Sequence, residues 1–215
     1  VDLGTSSLMY KDGYFDGTVT MHGLVVYDDE VTDATIKLDG NYPDGSNNVA
    51  LGLTALDSLD SGSPGGNNVA IGNAALTALT TGALNVAVGS NAGTAVTTGQ
   101  YLTILGGKAG EALTTGTETV LIGTLAGDAI TVGTQNVAVG TYTLGQEVAG
   151  SKSTAIGTLA LATQTTGSAT DIYNTAVGHS AGKVITSAKF NTLVGGLAGD
   201  AVTSANYGTA VGYAA

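Results

Sequence analysis

Two histidines, one acidic run and one lysine-bearing glycine loop are the residues whose types could do chemistry here, and none falls into a catalytic pattern. His22 and His179 lie far apart, and neither has a Ser or carboxylate beside it in an arrangement that recurs. Both read as surface or satisfied histidines. Asp28-Asp29-Glu30 has the charge to bind a cation in a crowded turn, but an acidic run is ordinarily a solvated face. Gly106-Gly107-Lys108-Ala109-Gly110 has the look of a phosphate loop and fails its spacing. A P-loop needs glycine where Leu102 stands and Ser or Thr where Ala109 stands. Calcium-binding nonapeptides need a recurring Asp, and no column of this sequence carries one. With no cysteine, disulfides and thiolate zinc sites are excluded. The expectation is a chain that is not an enzyme, with no cofactor and no metal.

Two recurring patterns point to surfaces instead. Thr80-Thr81, Thr97-Thr98, Thr114-Thr115 and Thr165-Thr166 repeat as pairs. Flat threonine arrays suit an ice-binding solenoid. However, adjacent strand residues point to opposite faces, so a flat array calls for T-x-T rather than T-T. Tyr101, Tyr173, Phe190 and Tyr207 each stand five residues before a recurring glycine, the last three in consecutive repeats. An exposed aromatic stripe is a sugar-stacking or protein-docking surface; a buried one would lie against a neighbouring chain, which is the favoured expectation. These four are the candidate surface-binding residues.

The element that positions them is a short repeat. Val86-Ala87-Val88-Gly89 recurs with its glycine at Gly52, Gly72, Gly89, Gly106, Gly123, Gly140, Gly157, Gly178, Gly195 and Gly212, at intervals of 20, 17, 17, 17, 17, 17, 21, 17 and 17 residues. So short a period is one rung of a stacked β-structure. Counting from the glycine as zero, position −1 is aliphatic and −3 is Val or Thr in every copy, while −2 is usually Ala. Strand side chains alternate faces. The aliphatic −1 column is therefore expected inside, with the small −2 column against a partner chain or sheet. On that assignment Ile122→Asp should disrupt assembly and Thr115→Ala, facing water, should do little.

Position +3 is Ala in nine copies, and +7 (Leu79, Val96, Leu113, Ile130, Val202) is expected to fill the core from the other side. Glycines at +4 and +10 fit corners with positive φ or with no room for a Cβ. Asn48, Asn68, Asn85, Asn136, Asn174 and Asn191 at −4 are expected to hydrogen-bond from rung to rung. Each rung should hold two or three short strands. Ten rungs at roughly 4.8 Å each give a rod of roughly 45–50 Å. The longer intervals place surface loops around 61–66 and 168–171.

Composition agrees with thin stacked sheets rather than an ordinary globular core. Of 215 residues 34 are Gly, Trp is absent, and aromatics are 5%. The net charge is −11 with six basic residues, all lysine, a poor match for phosphate backbones, so nucleic acid is not an expected partner. Nine of the seventeen acids fall in residues 1–45. No apolar run approaches a membrane span, so no membrane insertion is expected. The last repeat stops at Ala215 without a capping segment, and the chain reads as an excerpt of something longer.

Asn174-Thr175-Ala176-Val177-Gly178-His179-Ser180-Ala181-Gly182 resembles the head repeat of YadA-like trimeric autotransporter adhesins, roughly N-x-A-I-G-x-x-A. The resemblance covers residues 46–215, although the adhesin repeat is shorter than seventeen residues. It implies a parallel β-roll with three chains packed along an axis. The N-x-A-I-G runs with TTG spacers also look like repeats of bacteriophage tail-fibre and other virion fibre proteins. Residues 3–17, Leu3-Gly4-Thr5 through Asp16-Gly17, are similar to a short module that joins phage fibre segments, without its usual tryptophan.

The resulting expectation is all-β: a connector over residues 1–45, then a parallel β-solenoid or β-roll of about ten 17-residue rungs over 46–215, assembled as a homotrimeric fibre. The fibre resemblance implies a virion location, other virion or fibre proteins as partners, and a host glycan or receptor at its tip. The alternatives are a trimeric adhesin head at a cell surface and an ice-binding solenoid.

Overall fold

A computed structural model describes residues 24–26, 36–38, 47–59 and 65–215. Strands β1 (Leu24–Val26) and β2 (Ile36–Leu38) pair antiparallel, with Leu24 opposite Leu38. The rest of the 1–45 connector, with His22 and Asp28-Asp29-Glu30, lies outside the described residues, as do residues 61–64 of the first expected loop.

From β3 (Val49–Leu51) to β12 (Thr209–Val211), ten three-residue strands form one parallel sheet in sequence order. Every pairing is in register on the repeat, so Val49 faces Val69, Val69 faces Val86, and Val86 faces Thr103. The fold is a β-solenoid. Each rung contributes one strand, at positions −3 to −1, rather than two or three. Segments such as Ala95-Val96-Thr97 are turns and bends, although their backbones still bond across rungs, as from Thr97 N–H to the Thr114 carbonyl at 2.9 Å.

The strand is short because the anchor glycine ends it. Gly123 has φ +129°, and a Cβ there would lie 2.6 Å from both the carbonyl carbon and the carbonyl oxygen of Gly140 in the next rung. The same contact recurs at Gly72, Gly89, Gly106 and Gly178. Only glycine fits a backbone packed this closely. The other glycines divide between the two reasons: +4 glycines such as Gly127 have positive φ, whereas +10 glycines such as Gly116 lack room, with the next glycine's carbonyl oxygen 2.5 Å from a built Cβ. Only Gly167 among the described +10 glycines is open.

The facing of the strand is the reverse of the expectation. The −2 column points inward: Ala70, Ala87, Ile104, Leu121, Ala138, Ala155 and Ala176 are fully buried. The −1 and −3 columns point outward and are half-buried or exposed, Ile122 among them. Ala at −2 marks no partner chain. It leaves space for core volume that arrives from elsewhere in the rung.

That volume comes from +4. Where −2 is Ala, as at Ala50, Ala70, Ala138 and Ala155, the same rung carries buried Leu56, Leu76, Leu144 or Leu161 at +4. Where −2 is Ile104, Leu121 or Leu193, position +4 is Gly110, Gly127 or Gly199. A Cβ on Gly127 would lie 2.8 Å from the Leu121 side chain. Two rungs are small at both places, Ala87 with Gly93 and Ala176 with Gly182. Neighbouring rungs fill them: Gly93 is covered by Leu76 and Ile104, and Gly182 by Leu161 and Leu193. The +3 alanines and the +7 column complete a core closed within a single chain, with Leu79, Val96, Leu113 and Ile130 fully buried.

The −4 asparagines bond from rung to rung, but mainly from side chain to backbone rather than as the amide-to-amide ladder of stacked β-assemblies. Asn68 Oδ1 accepts the Asn85 N–H at 3.0 Å, and Asn68 Nδ2 donates to the Gly82 carbonyl at 3.1 Å. The same two bonds recur at Asn85 and Asn136. Direct amide-to-amide bonds join Asn68 to Asn48 and Asn191 to Asn174.

Leu121→Ala is expected to cost about 2–5 kcal/mol, and Gly127→Leu to destabilise by overpacking against Leu121. The double variant should recover most of the loss, because it recreates the Ala138–Leu144 pattern of the next rung. Urea denaturation of the four proteins tests this, and additive losses would overturn the volume exchange.

Candidate functional site

Position −5 is left-handed in all ten rungs, with φ between +53° at Glu118 and +66° at Asn47. The conformation aims this side chain outward beside the sheet. Asn and Gly adopt it readily, whereas for a bulky residue it costs about 1–2 kcal/mol. Tyr101, Tyr173, Phe190 and Tyr207 accept that cost and remain 40–77% exposed within the single chain.

Three of the four sequence candidates come together. Tyr173 and Phe190 stack with ring centroids 5.8 Å apart, and Phe190 and Tyr207 at 4.9 Å with planes 4° apart. Each such pair contributes about 0.5–1.5 kcal/mol, which offsets part of the backbone cost. Tyr101 stands alone, because the −5 residues on either side of it are Leu84 and Glu118. Stacking has a consequence for ligands: Phe190 has both faces covered by rings, so the stack offers ring edges to the side rather than a platform for a sugar.

Lys152, at −5 in the preceding rung, begins the stripe. Its Nζ lies 5.2 Å from the Tyr173 centroid, 3.2 Å from the Tyr173 hydroxyl and 2.7 Å from Asp171 Oδ2. The ion pair and hydrogen bond to Lys152 hold the Asp171 carboxyl below the usual carboxylate range, and the bond to Asp171 raises Lys152. Asp171 belongs to the four-residue insertion expected at 168–171. The insertion is fastened by the Ser151–Asp171 bridge and by Lys189 Nζ on Thr170 Oγ1 at 3.3 Å.

The other candidate chemistry disperses. His179 is exposed at position +1. Lys108 pairs with Glu111 at 3.3 Å in an ordinary corner rather than a phosphate cradle. Among the described residues, no three His, Cys, Asp or Glu are grouped to hold a metal, and no helix is long and apolar enough to cross a membrane. The +8 threonines use their hydroxyls internally: Thr97 and Thr114 Oγ1 donate to the Thr114 and Thr131 carbonyls at 3.2 and 2.9 Å. Thr115, beside them, is exposed, as the sequence suggests.

Sequence reasoning missed the larger surface. The outward columns run from Val49 and Leu51 to Thr209 and Val211, one aliphatic residue with one Val or Thr per rung. Val86, Val88, Ile156 and Val194 are 36–39% exposed in this stripe. The −1 column carries its signal, but alternation of faces does not by itself say which face is inside. The chain matches no protein-family model, no curated protein and no solved structure.

Two outcomes follow from this geometry. Phe190→Asn exchanges two stacks for a residue at ease in left-handed backbone, so stability should change by less than about 1 kcal/mol; a substantially larger loss in chemical denaturation would make the stack a structural pillar. Burial raises the Asp128 carboxyl, with Glu111 adding to the rise. A raised acid contributes stability that is present at low pH and lost as pH climbs through its folded value. Asp128→Asn should therefore raise Tm at pH 7 and leave it unchanged at pH 3.

Proposed function

We propose that this chain is a length of shaft in a homotrimeric fibre of the phage-tail or virion type, with a mechanical role in attachment and no catalysis. The observation that carries the reading is the outward −1/−3 stripe on a solenoid whose core is already closed. Ten strands at roughly 4.8 Å spacing and a strand width of roughly 10 Å give an apolar face of roughly 400 Å². The largest apolar patch on a soluble chain is commonly of about that size and is often functional. A repeating flat face is matched in pitch by another copy of itself, so chains pack side by side rather than intertwine. Other fibre proteins would join the ends, and a host glycan or receptor would meet the tip. The exposed stack of Tyr173, Phe190 and Tyr207 favours, as a second reading, a trimeric adhesin-type head that touches its target along the shaft.

Light scattering at low micromolar concentration should give about three times the 21.0 kDa chain mass, stable to dilution. Ile122→Asp should reduce that mass to one chain while leaving the circular dichroism of the folded solenoid, since Ile122 faces outward. A parent protein that is monomeric throughout would remove the trimer.

A further inference from the structure

Seven of the nine described +7 positions are aliphatic; the exceptions are adjacent, Glu147 and Gln164. Both side chains are fully buried. Glu147 Oε1 accepts the N–H groups of Val148, Ala149 and Gly150 at 2.9, 3.1 and 2.7 Å. It also accepts the Thr166 N–H at 3.1 Å and the Thr166 hydroxyl. Its Oε2 takes Gln164 Nε2 at 2.9 Å. Gln164 Nε2 also donates to Ser153 Oγ at 3.1 Å, and Gln164 Oε1 accepts Asn174 Nδ2 at 2.8 Å. Ser153 stands at −4, where six rungs carry Asn, and its smaller side chain leaves room for the glutamine amide.

From these contacts we infer that the Glu147–Gln164 network is a register lock: a buried polar pair that permits only one stacking of the rungs on either side of it. The rungs of this solenoid are otherwise nearly interchangeable. Each has the same strand pattern and the same anchor glycine, so looping out one rung costs little specificity in the aliphatic columns. At the lock it costs a great deal. If the Gly178 rung stacked directly on the Gly140 rung, Ile185 would face Glu147 in place of Gln164. The carboxylate would keep the three N–H bonds of its own rung, and Ser187 would stand where Thr166 does. Its Oε2, however, would lose Gln164 and face Ile185 while still buried, and a buried carboxylate oxygen left without its partner is destabilising. Polar groups in a core can fix register in this way where apolar groups alone do not. The lock sits at the one described rung carrying a four-residue insertion. The inference is independent of the fibre assignment.

The chain has no cysteine, so paired cysteines report register directly. Thr154 and Thr175 are direct neighbours in the native sheet, whereas Val137 and Thr175 are separated by the strand containing Thr154. A disulfide requires neighbouring strands. Thr154→Cys/Thr175→Cys and Val137→Cys/Thr175→Cys are made in the parent and in Glu147→Leu/Gln164→Leu. Intrachain disulfides are separated from interchain ones by mass on denaturing gels.

In the parent only the first pair should close. In the double-leucine background Tm should be at or above the parent's, and the Val137/Thr175 disulfide should rise from background to a clear fraction of chains. Gln164→Leu alone should melt below both. Exclusive closure of the native pair in the double-leucine protein would overturn the lock. So would a double-leucine protein that fails to fold, since the network would then be a folding requirement rather than a choice between registers.

Discussion

At the anchor glycine, backbone packs directly against backbone from one rung to the next. Successive glycines approach until a built Cβ would sit about 2.5 Å from the next carbonyl, as between Gly72 and Gly89. A chain that turns here must return after one circuit with its carbonyl in the same place. This requirement sets the seventeen-residue pitch, keeps the strand to three residues, and leaves the longer circuits to extend outward at corners. Interior and exterior alike are arranged around it.

Within that frame the core tolerates exchange as long as volume is conserved. A large residue may stand on the strand or on the +4 corner, and neighbouring rungs share what a small one lacks. Interiors pack at near-crystalline density, and here the packing is satisfied one layer at a time. The Glu147 rung is the exception. Its interior is polar, and it is supported by backbone N–H groups that the corner already turns inward.

Much of this was legible in sequence. The glycine pitch implies parallel in-register stacking, the +7 aliphatics imply core filling from the far side of the rung, and the −4 asparagines imply bonds from rung to rung. The parity of the strand was not legible. Branched aliphatics at −1 look like core and alanine at −2 looks like a tight outer contact, unless one also sees that Leu56, Leu76, Leu144 and Leu161 occupy left-handed corners pointing inward. Leucine is an unusual choice there, so pattern alone gives no reason to expect it. The aromatic column was identifiable by its spacing. Whether its rings meet each other or a partner depended on the side-chain direction set by positive φ. Glu147 and Gln164 left a trace in the paired break of the +7 column and in the change from Asn to Ser at 153.

Because the sheet bonds run from rung to rung, they lie along the rod rather than across it. A pull on the two ends therefore loads each rung's hydrogen bonds along their own direction, while a push closes contacts already at their limit between neighbouring glycine backbones. A single solenoid of this kind is a strut: stiff under compression, weak in tension. To hold against a pull it must lie beside something whose rungs do not part at the same level.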